Sequence, residues 1–205
     1  MVRAPKLREL KEAIEALIKG PYTLRFPKEP SVPPETFRGK PEFVFDQCVG
    51  CAACSEVCPA NAIAVEDRVT GPRSGVRVLT LRYDHCIFCA QCQRNCLTEQ
   101  GIRLTNQYDL AMEDRGQAVE RVEKELAFCE HCGAPITTVE HLRWIARNMG
   151  AKVYASPGLL LVRHQELGTV GETAPRPQGP AARSDHLRVL CPNCRREVVL
   201  QEELR

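Results

Sequence analysis

Three features of the sequence predict an α+β fold: two cysteine runs of identical spacing, short β-type segments around them, and amphipathic helical stripes outside them. The runs are Cys48-Val-Gly-Cys51-Ala-Ala-Cys54-Ser-Glu-Val-Cys58 and Cys86-Ile-Phe-Cys89-Ala-Gln-Cys92-Gln-Arg-Asn-Cys96. Each reads C-x2-C-x2-C-x3-C, the thiolate spacing that holds a [4Fe–4S] cluster. Zinc sites or disulfides are the alternative, but eight cysteines seldom fall into this register for either purpose.

Three cysteines at steps of three let a short loop curl around one cluster. The fourth follows where the chain turns away, so in a two-run protein it serves the other cluster. The expected ligand sets are Cys48, Cys51, Cys54 and Cys96 for one cluster, and Cys86, Cys89, Cys92 and Cys58 for the other. Phe45-Asp46-Gln47-Cys48 aligns with Tyr83-Asp84-His85-Cys86, and Ile63–Val65 aligns with Ile102–Leu104. A repeated unit that cannot bury its own apolar face pairs with its copy. The fold class is therefore a two-cluster, bacterial ferredoxin-like core with an N-terminal helix and extended arm, followed by a C-terminal four-cysteine, zinc-ribbon-like module. Gly50, Ala52 and Ala53 keep the first loop small where backbone must approach a cluster. The second run departs from the first at Phe88, opposite Gly50, and at Leu97, opposite Pro59.

The chain is long enough for one or two domains with a sizeable core. Its net charge of +2 carries neither a nucleic-acid footprint nor an acidic tail. Met1-Val-Arg-Ala-Pro-Lys leads into a charged helix rather than an apolar signal core, and no apolar run approaches a bilayer span. The twelve cysteines are accordingly expected to be reduced, metal-bound and cytoplasmic.

Residues 1–41 are expected to form a docking segment. Leu7, Leu10, Ile14, Leu17 and Ile18 fall at helical spacing within Pro5–Lys19, and Gly20-Pro21 ends the helix. The stripe suits either a partner subunit or the chain's own core. Six prolines between Pro21 and Pro41 then enforce an extended arm. At its end Arg38 and Lys40 precede the first cysteine loop, where they either favour a reduced cluster or are simply solvated.

The cluster domain is expected over residues 42–108, with strands at Ile63–Val65 and Val76–Leu81 around a turn at Thr70–Gly75. Residues 109–128 read as a linker helix, on the stripe Val119, Val122 and Leu126. Residues 129–205 form the last module, opened by Cys129-Glu-His-Cys132 and closed by Cys191-Pro-Asn-Cys194. The two C-x2-C turns together make a closed tetrahedral site for structural zinc, or for a single rubredoxin-like iron. Between them a helix is expected at Thr138–Met149, a strand at Leu159–Val162 and a flexible loop near 166–184. His131 is an available substitute ligand, but two complete cysteine pairs make it unnecessary. His141, His164 and His186 have no ligand spacing.

No dinucleotide or phosphate-loop fingerprint and no nucleophile arrangement is left once the metal assignments are made, so no catalytic residue, small-molecule substrate or nucleic-acid partner is expected. The reading is an electron relay, non-catalytic on its own. Its rivals are a protein with purely structural clusters and a free soluble carrier; the extra segments at both ends argue for permanent docking instead.

The succession Pro21-Tyr-Thr, Phe26-Pro-Lys-Glu-Pro30, Phe37-Arg-Gly-Lys and then the two runs resembles the 23-kDa iron–sulfur subunit of respiratory complex I. Phe37-Arg-Gly-Lys-Pro-Glu42, His85-Cys-Ile-Phe-Cys89, Tyr108-Asp-Leu-Ala111 and the C-terminal knuckles lie closer to a sister family, the iron–sulfur subunit of formate hydrogenlyase and related membrane-bound [NiFe] hydrogenases. The resemblance implies two [4Fe–4S] clusters and a peripheral place on the inner face of the cell membrane. Its implied partners are [NiFe] large and small subunits, a formate dehydrogenase-type or other iron–sulfur donor subunit, and membrane subunits. A quinone-reducing relative of complex I is the alternative setting. Leu97 departs from the proline usual there.

Overall fold

A computed structural model describes residues 6–20, 23, 28–170, 179 and 183–203. The chain divides into two compact units, Met1–Phe37 and Arg38–Arg205.

In the first unit, α1 (Leu7–Lys19) carries the expected stripe, and none of its residues is buried. Glu9 accepts from the backbone N–H of Lys6 at 3.0 Å, closing the N-terminus. Arg8–Glu12, Lys11–Glu15 and Lys19–Glu15 pair one turn apart along the polar face. Part of the proline arm (21–22 and 24–27) lies outside the described residues, and residues 30–37 contain no helix or strand.

The second unit begins with β1 (Pro41–Phe43) and continues through α2 (Ala53–Glu56), β2 (Ile63–Gly71), β3 (Ser74–Arg82), α3 (Gln91–Arg94) and β4 (Ile102–Leu104). The two expected strands are thus longer than their apolar cores, because the hairpin keeps pairing out to Gly71 and Ser74. β1 and β4 make a small antiparallel ladder, Glu42 opposite Arg103. Between them, Cys48, Cys54, Ile63, Leu79, Leu81, Tyr83 and Ile102 form one buried cluster with Val122.

The linker helix expected over 109–128 is corrected by the structure. Residues Val119–Phe128 form β5, a ten-residue strand. It pairs antiparallel with β3 from Arg82 opposite Val119 to Val76 opposite Glu125. Val122, Lys124, Leu126 and Phe128 are buried, while Arg121, Glu123 and Glu125 are exposed. This is period-two burial. Because Lys124 occupies one inward position, Val122 and Leu126 read in sequence as a helical i, i+4 pair.

β6 (Pro135–Thr138) completes a four-stranded sheet in the order β2-β3-β5-β6. The Thr138 hydroxyl then accepts from the His141 N–H at 3.2 Å and caps α4 (Val139–Met149), the helix expected at Thr138–Met149. The strand expected at Leu159–Val162 is a second correction: it lies inside α5 (Pro157–Glu166). A short apolar run does not distinguish a strand from a buried helix, and Pro157 suits the first helical turn. Glu166 opens the expected flexible loop yet is held by Arg147 at 3.1 Å and Arg163 at 2.9 Å. Residues 171–178 and 180–182 of that loop lie outside the described residues. The last helix, α6 (Pro192–Glu203), follows Cys191. Among the described residues, no helix is long and apolar enough to cross a membrane.

Candidate metal centres

The two cysteine loops have the same backbone. Gly50 (φ 67°), Ala52 (φ 66°) and Asn61 (φ 48°) occupy the left-handed region, matched by Phe88 (φ 53°), Ala90 (φ 65°) and Glu99 (φ 62°) at equivalent positions. This conformation costs a non-glycine residue of order 1 kcal/mol or more, so its threefold repetition reflects a common loop requirement. Each loop ends in a single turn of helix, α2 or α3. The next cysteine leaves that turn, with the Cys58 N–H on Ser55 O (3.2 Å) and the Cys96 N–H on Gln93 O (3.3 Å).

Cys48, Cys51, Cys54 and Cys96 line one cavity, with Phe43, Leu79 and Ile102 as its apolar walls. Cys58, Cys86, Cys89 and Cys92 line another, walled by Pro41, Ile63, Leu81 and Leu104. Four sulfurs in an apolar cavity are the donor set a [4Fe–4S] cluster takes. At Gly101 an added Cβ would sit 3.1 Å from both Cys96 Sγ and the Cys48 Cα, inside this cradle. Burial pushes the Cys54 thiol up to about 12 and the Cys92 thiol up to about 11. Burial likewise raises Cys48 and Cys86, although N–H groups of Gly50 and Phe88 oppose it. Binding a metal at such thiols releases protons.

The first loop is gripped from outside by residues that sequence reasoning missed. Lys124 Nζ donates to Phe45 O at 2.7 Å, the Thr138 hydroxyl donates to Val49 O, and Arg77 donates to Gly50 O at 3.3 Å. Gly50 is needed here for space as well as for φ, since a Cβ would lie 2.8 Å from Thr138 Cγ2. The signal available in the sequence was Lys124 at an inward strand position, legible only once 119–128 is a strand. Lys40 lies elsewhere than its sequence position suggests. Its ammonium sits 5.0 Å from the Tyr83 ring centre, on the approach to the second run, and pairs with Glu42 at 3.3 Å. The Tyr83 hydroxyl also donates to Glu120, with Pro41 O 3.1 Å away, and burial followed by the Glu120 contact raises its phenol strongly.

Cys129, Cys132, Cys191 and Cys194 converge, with all four Sγ atoms within 4.8 Å of one another. The Cys132–Cys191 sulfur separation is 3.7 Å. A tetrahedron with metal–sulfur bonds of about 2.3 Å requires sulfur–sulfur edges of about 3.8 Å. The first knuckle is a turn in which the Gly133 N–H (φ 75°) donates to Cys129 O at 2.9 Å. The second opens α6. Burial opposes ionisation of Cys129, but N–H groups of Cys191, Cys132 and His131 prevail and lower its thiol to about 7. His131 Nδ1 lies 3.7 Å from Cys194 Sγ, beside the site rather than among its four sulfurs. His141 and His164 instead contact threonines, Thr137 at 2.8 Å and Thr169 at 3.0 Å.

Residues 47–100 match the 4Fe–4S dicluster domain family. Formate hydrogenlyase subunit 6 of Escherichia coli is 35% identical over 130 residues, covering 63% of this chain and 70% of that protein. NADH-quinone oxidoreductase subunit I 2 of Geobacter metallireducens is 31% identical over 115 residues, covering 52% and 85% respectively. NAD(P)H-quinone oxidoreductase subunit I of Gloeobacter violaceus is 32% identical over 99 residues, and the chain spans about half (47%) of its length. A solved chain of the membrane-bound sulfane sulfur reductase, an archaeal respiratory membrane complex, superposes with a TM-score of only 0.38 at 25% identity over 58% of this chain and 62% of that one. The dicluster match and these alignments place the chain in the family of iron–sulfur subunits that includes formate hydrogenlyase subunit 6 and NADH-quinone oxidoreductase subunit I.

Proposed function

We propose that the chain relays single electrons through two [4Fe–4S] clusters to or from the [NiFe] subunit of a membrane-bound hydrogenase of the formate hydrogenlyase type. The observation that carries this is the pair of four-cysteine cavities against one apolar core, which buries Cys48 and Cys54 and has Cys58, Cys86, Cys92 and Cys96 packed on it. When bound, each cluster supplies a one-electron redox centre. The chain's own residues hold the sulfurs in apolar walls, exclude water from them and fix the loops through α2 and α3. Cys48, Cys51, Cys54 and Cys96 are the proposed ligands of one cluster, and Cys86, Cys89, Cys92 and Cys58 those of the other. Cys129, Cys132, Cys191 and Cys194 take a structural zinc, with a single iron as the alternative.

The likeness to formate hydrogenlyase subunit 6 extends over more of this chain than the likeness to the quinone oxidoreductase subunits, which favours the hydrogenase setting. The names of those other relatives keep a quinone-reducing complex as the second reading. In either setting α1 and the arm attach the subunit to neighbours on the inner face of the membrane. Affinity purification of the full chain from its native membranes tests this. Recovery of [NiFe] large and small subunits is expected, together with clusters reversibly reducible by dithionite. Quinone-complex subunits in their place would support the second reading, and clusters that take up no electron would refute the relay. Removing residues 1–20 should release the chain from its partners with both clusters still loaded; loss of the clusters would instead make α1 part of the fold.

A further inference from the structure

We propose that Lys124 and Glu140 are positioning residues that set the potential of the cluster held by Cys48, Cys51, Cys54 and Cys96, making it the more easily reduced of the two. The proposal rests on the relay reading above. Lys124 is a charged residue only 3% exposed, on a strand that follows both cysteine runs. A buried ammonium is costly unless its donors are satisfied. Here Phe45 O takes one N–H at 2.7 Å, Glu140 Oε2 lies at 2.7 Å, and the Phe45 ring lies under the charge at 3.9 Å. Two of these three contacts belong to the residue three positions before Cys48.

The second loop is the natural comparison, because its backbone repeats the first. There Lys40 takes the corresponding place over Tyr83, but at 5.0 Å from the ring and with its side chain 23% exposed. The loops therefore differ in the cation each leans on rather than in their sulfurs.

Two further groups belong to the same electrostatic site. Arg77 stands directly across the ladder from Lys124 and donates to Gly50 O. Like charges in that position repel, and each has its own anion. Asp67 holds Arg77 in a two-point contact at 2.7 and 2.8 Å, largely cancelling its charge. Glu140 compensates Lys124 less completely, because its side chain is 42% exposed and water screens it while the ammonium is dry. A net positive potential remains at the first loop. One-electron reduction adds one negative charge to a cluster without making or breaking a bond, and that potential favours it.

The test is a potentiometric titration of the full-length, cluster-loaded chain with dithionite and mediators, followed by electron paramagnetic resonance. Lys124→Met should move one reduction wave to lower potential. At a fixed poise its reduced-to-oxidised ratio should fall roughly tenfold, a change worth about 59 mV for one electron. Glu140→Gln removes the anion and keeps the cation, so the same wave should move upward, and in both variants the other wave should stay. Loosening of the loop would shift both variants in the same direction, and that result overturns the proposal. So does an unmoved wave, or two waves moving together. If Lys124→Met does not load, the sign of the Glu140→Gln shift decides by itself. A wild-type chain whose clusters accept no electron defeats the relay reading; normal wild-type reduction with unmoved variants defeats only this inference.

Discussion

Replacing Cys132 by serine should unfasten α6 and leave the sheet intact. Cys132 is the exposed member of the four-sulfur set, so its loss removes a ligand with the least disturbance to packing. Without metal, the segment leading into the helix keeps the pairing of Glu130 with Val189 and the part-buried Arg188 ion pairs, and the helix itself keeps a small apolar patch. Leu190 (4% exposed) and Val198 (1%) are the large aliphatic side chains buried around the three buried cysteines. Burying two such groups stabilises by about 3–6 kcal/mol. Closing a connection of twenty-odd residues from α5 back to the site opposes this by roughly 3 kcal/mol plus a constant. A twelve-residue helix alone in water contributes almost nothing further. The balance is close to zero, whereas a structural zinc adds about 10–16 kcal/mol. Hydrogen exchange on the full chain, with bound metal quantified in parallel, reads the outcome. Amides of α6 should lose protection at least about a thousandfold, roughly 4 kcal/mol, while those of β3 keep theirs between β2 and β5. A metal-free Cys132→Ser chain with α6 protection within threefold of wild type would refute the reasoning.

Cys58→Ser should damage the cluster held by Cys86, Cys89 and Cys92, because Cys58 lines their cavity. Spectra showing that cluster intact and its neighbour perturbed would overturn the ligand sets. Gly50→Ala should lower the occupancy of the first cluster selectively, through a positive φ costing about 1 kcal/mol or more and a Cβ 2.8 Å from Thr138 Cγ2. Equal loading of both clusters, by iron and sulfide analysis with resonance spectra, would count against it. The hydrogen bond from Arg77 depresses the Asp67 carboxyl. A depressed folded value gives stability that is present above the unfolded value of about 3.9 and lost as pH falls through the folded one. Asp67→Asn should therefore flatten the acid limb of thermal stability, and superimposable limbs in the two proteins would refute the link.

The parts of the fold written in short-range chemistry were legible. The cysteine spacing announced two loops, and the structure gathers Cys96 with the first and Cys58 with the second in the cavities they line. The helix expected at Thr138–Met149, from its stripe of Leu142, Ile145, Ala146 and Met149, is present as α4. What could not be read was long-range. Strand β5 was hidden because Lys124 breaks the apolar alternation, and only the partners brought to it from Phe45 and Glu140 make its burial possible. Leu159–Val162 gave no period to choose between helix and strand, and its outcome depends on packing against α4. Lys40, adjacent to the first run in sequence, reached the second because the ladder of β1 with β4 turns the chain that way.

The C-terminal extension and the cysteine core belong to one construction. A separate module hung on a linker helix would leave the core as a symmetric pair of loops. Instead β5 adds to the edge of β3, and β6 adds to β5, so the C-x2-C knuckle at Cys129 continues directly from a strand of the core sheet. That sheet brings Arg77, Lys124 and Thr138 against the carbonyls of Phe45, Val49 and Gly50. Fixing α6 on the far side of Cys129 therefore bears on the same strands that hold the first loop. A duplicated sequence supplies two equivalent loops, and the sheet that leans on one of them makes their surroundings unequal.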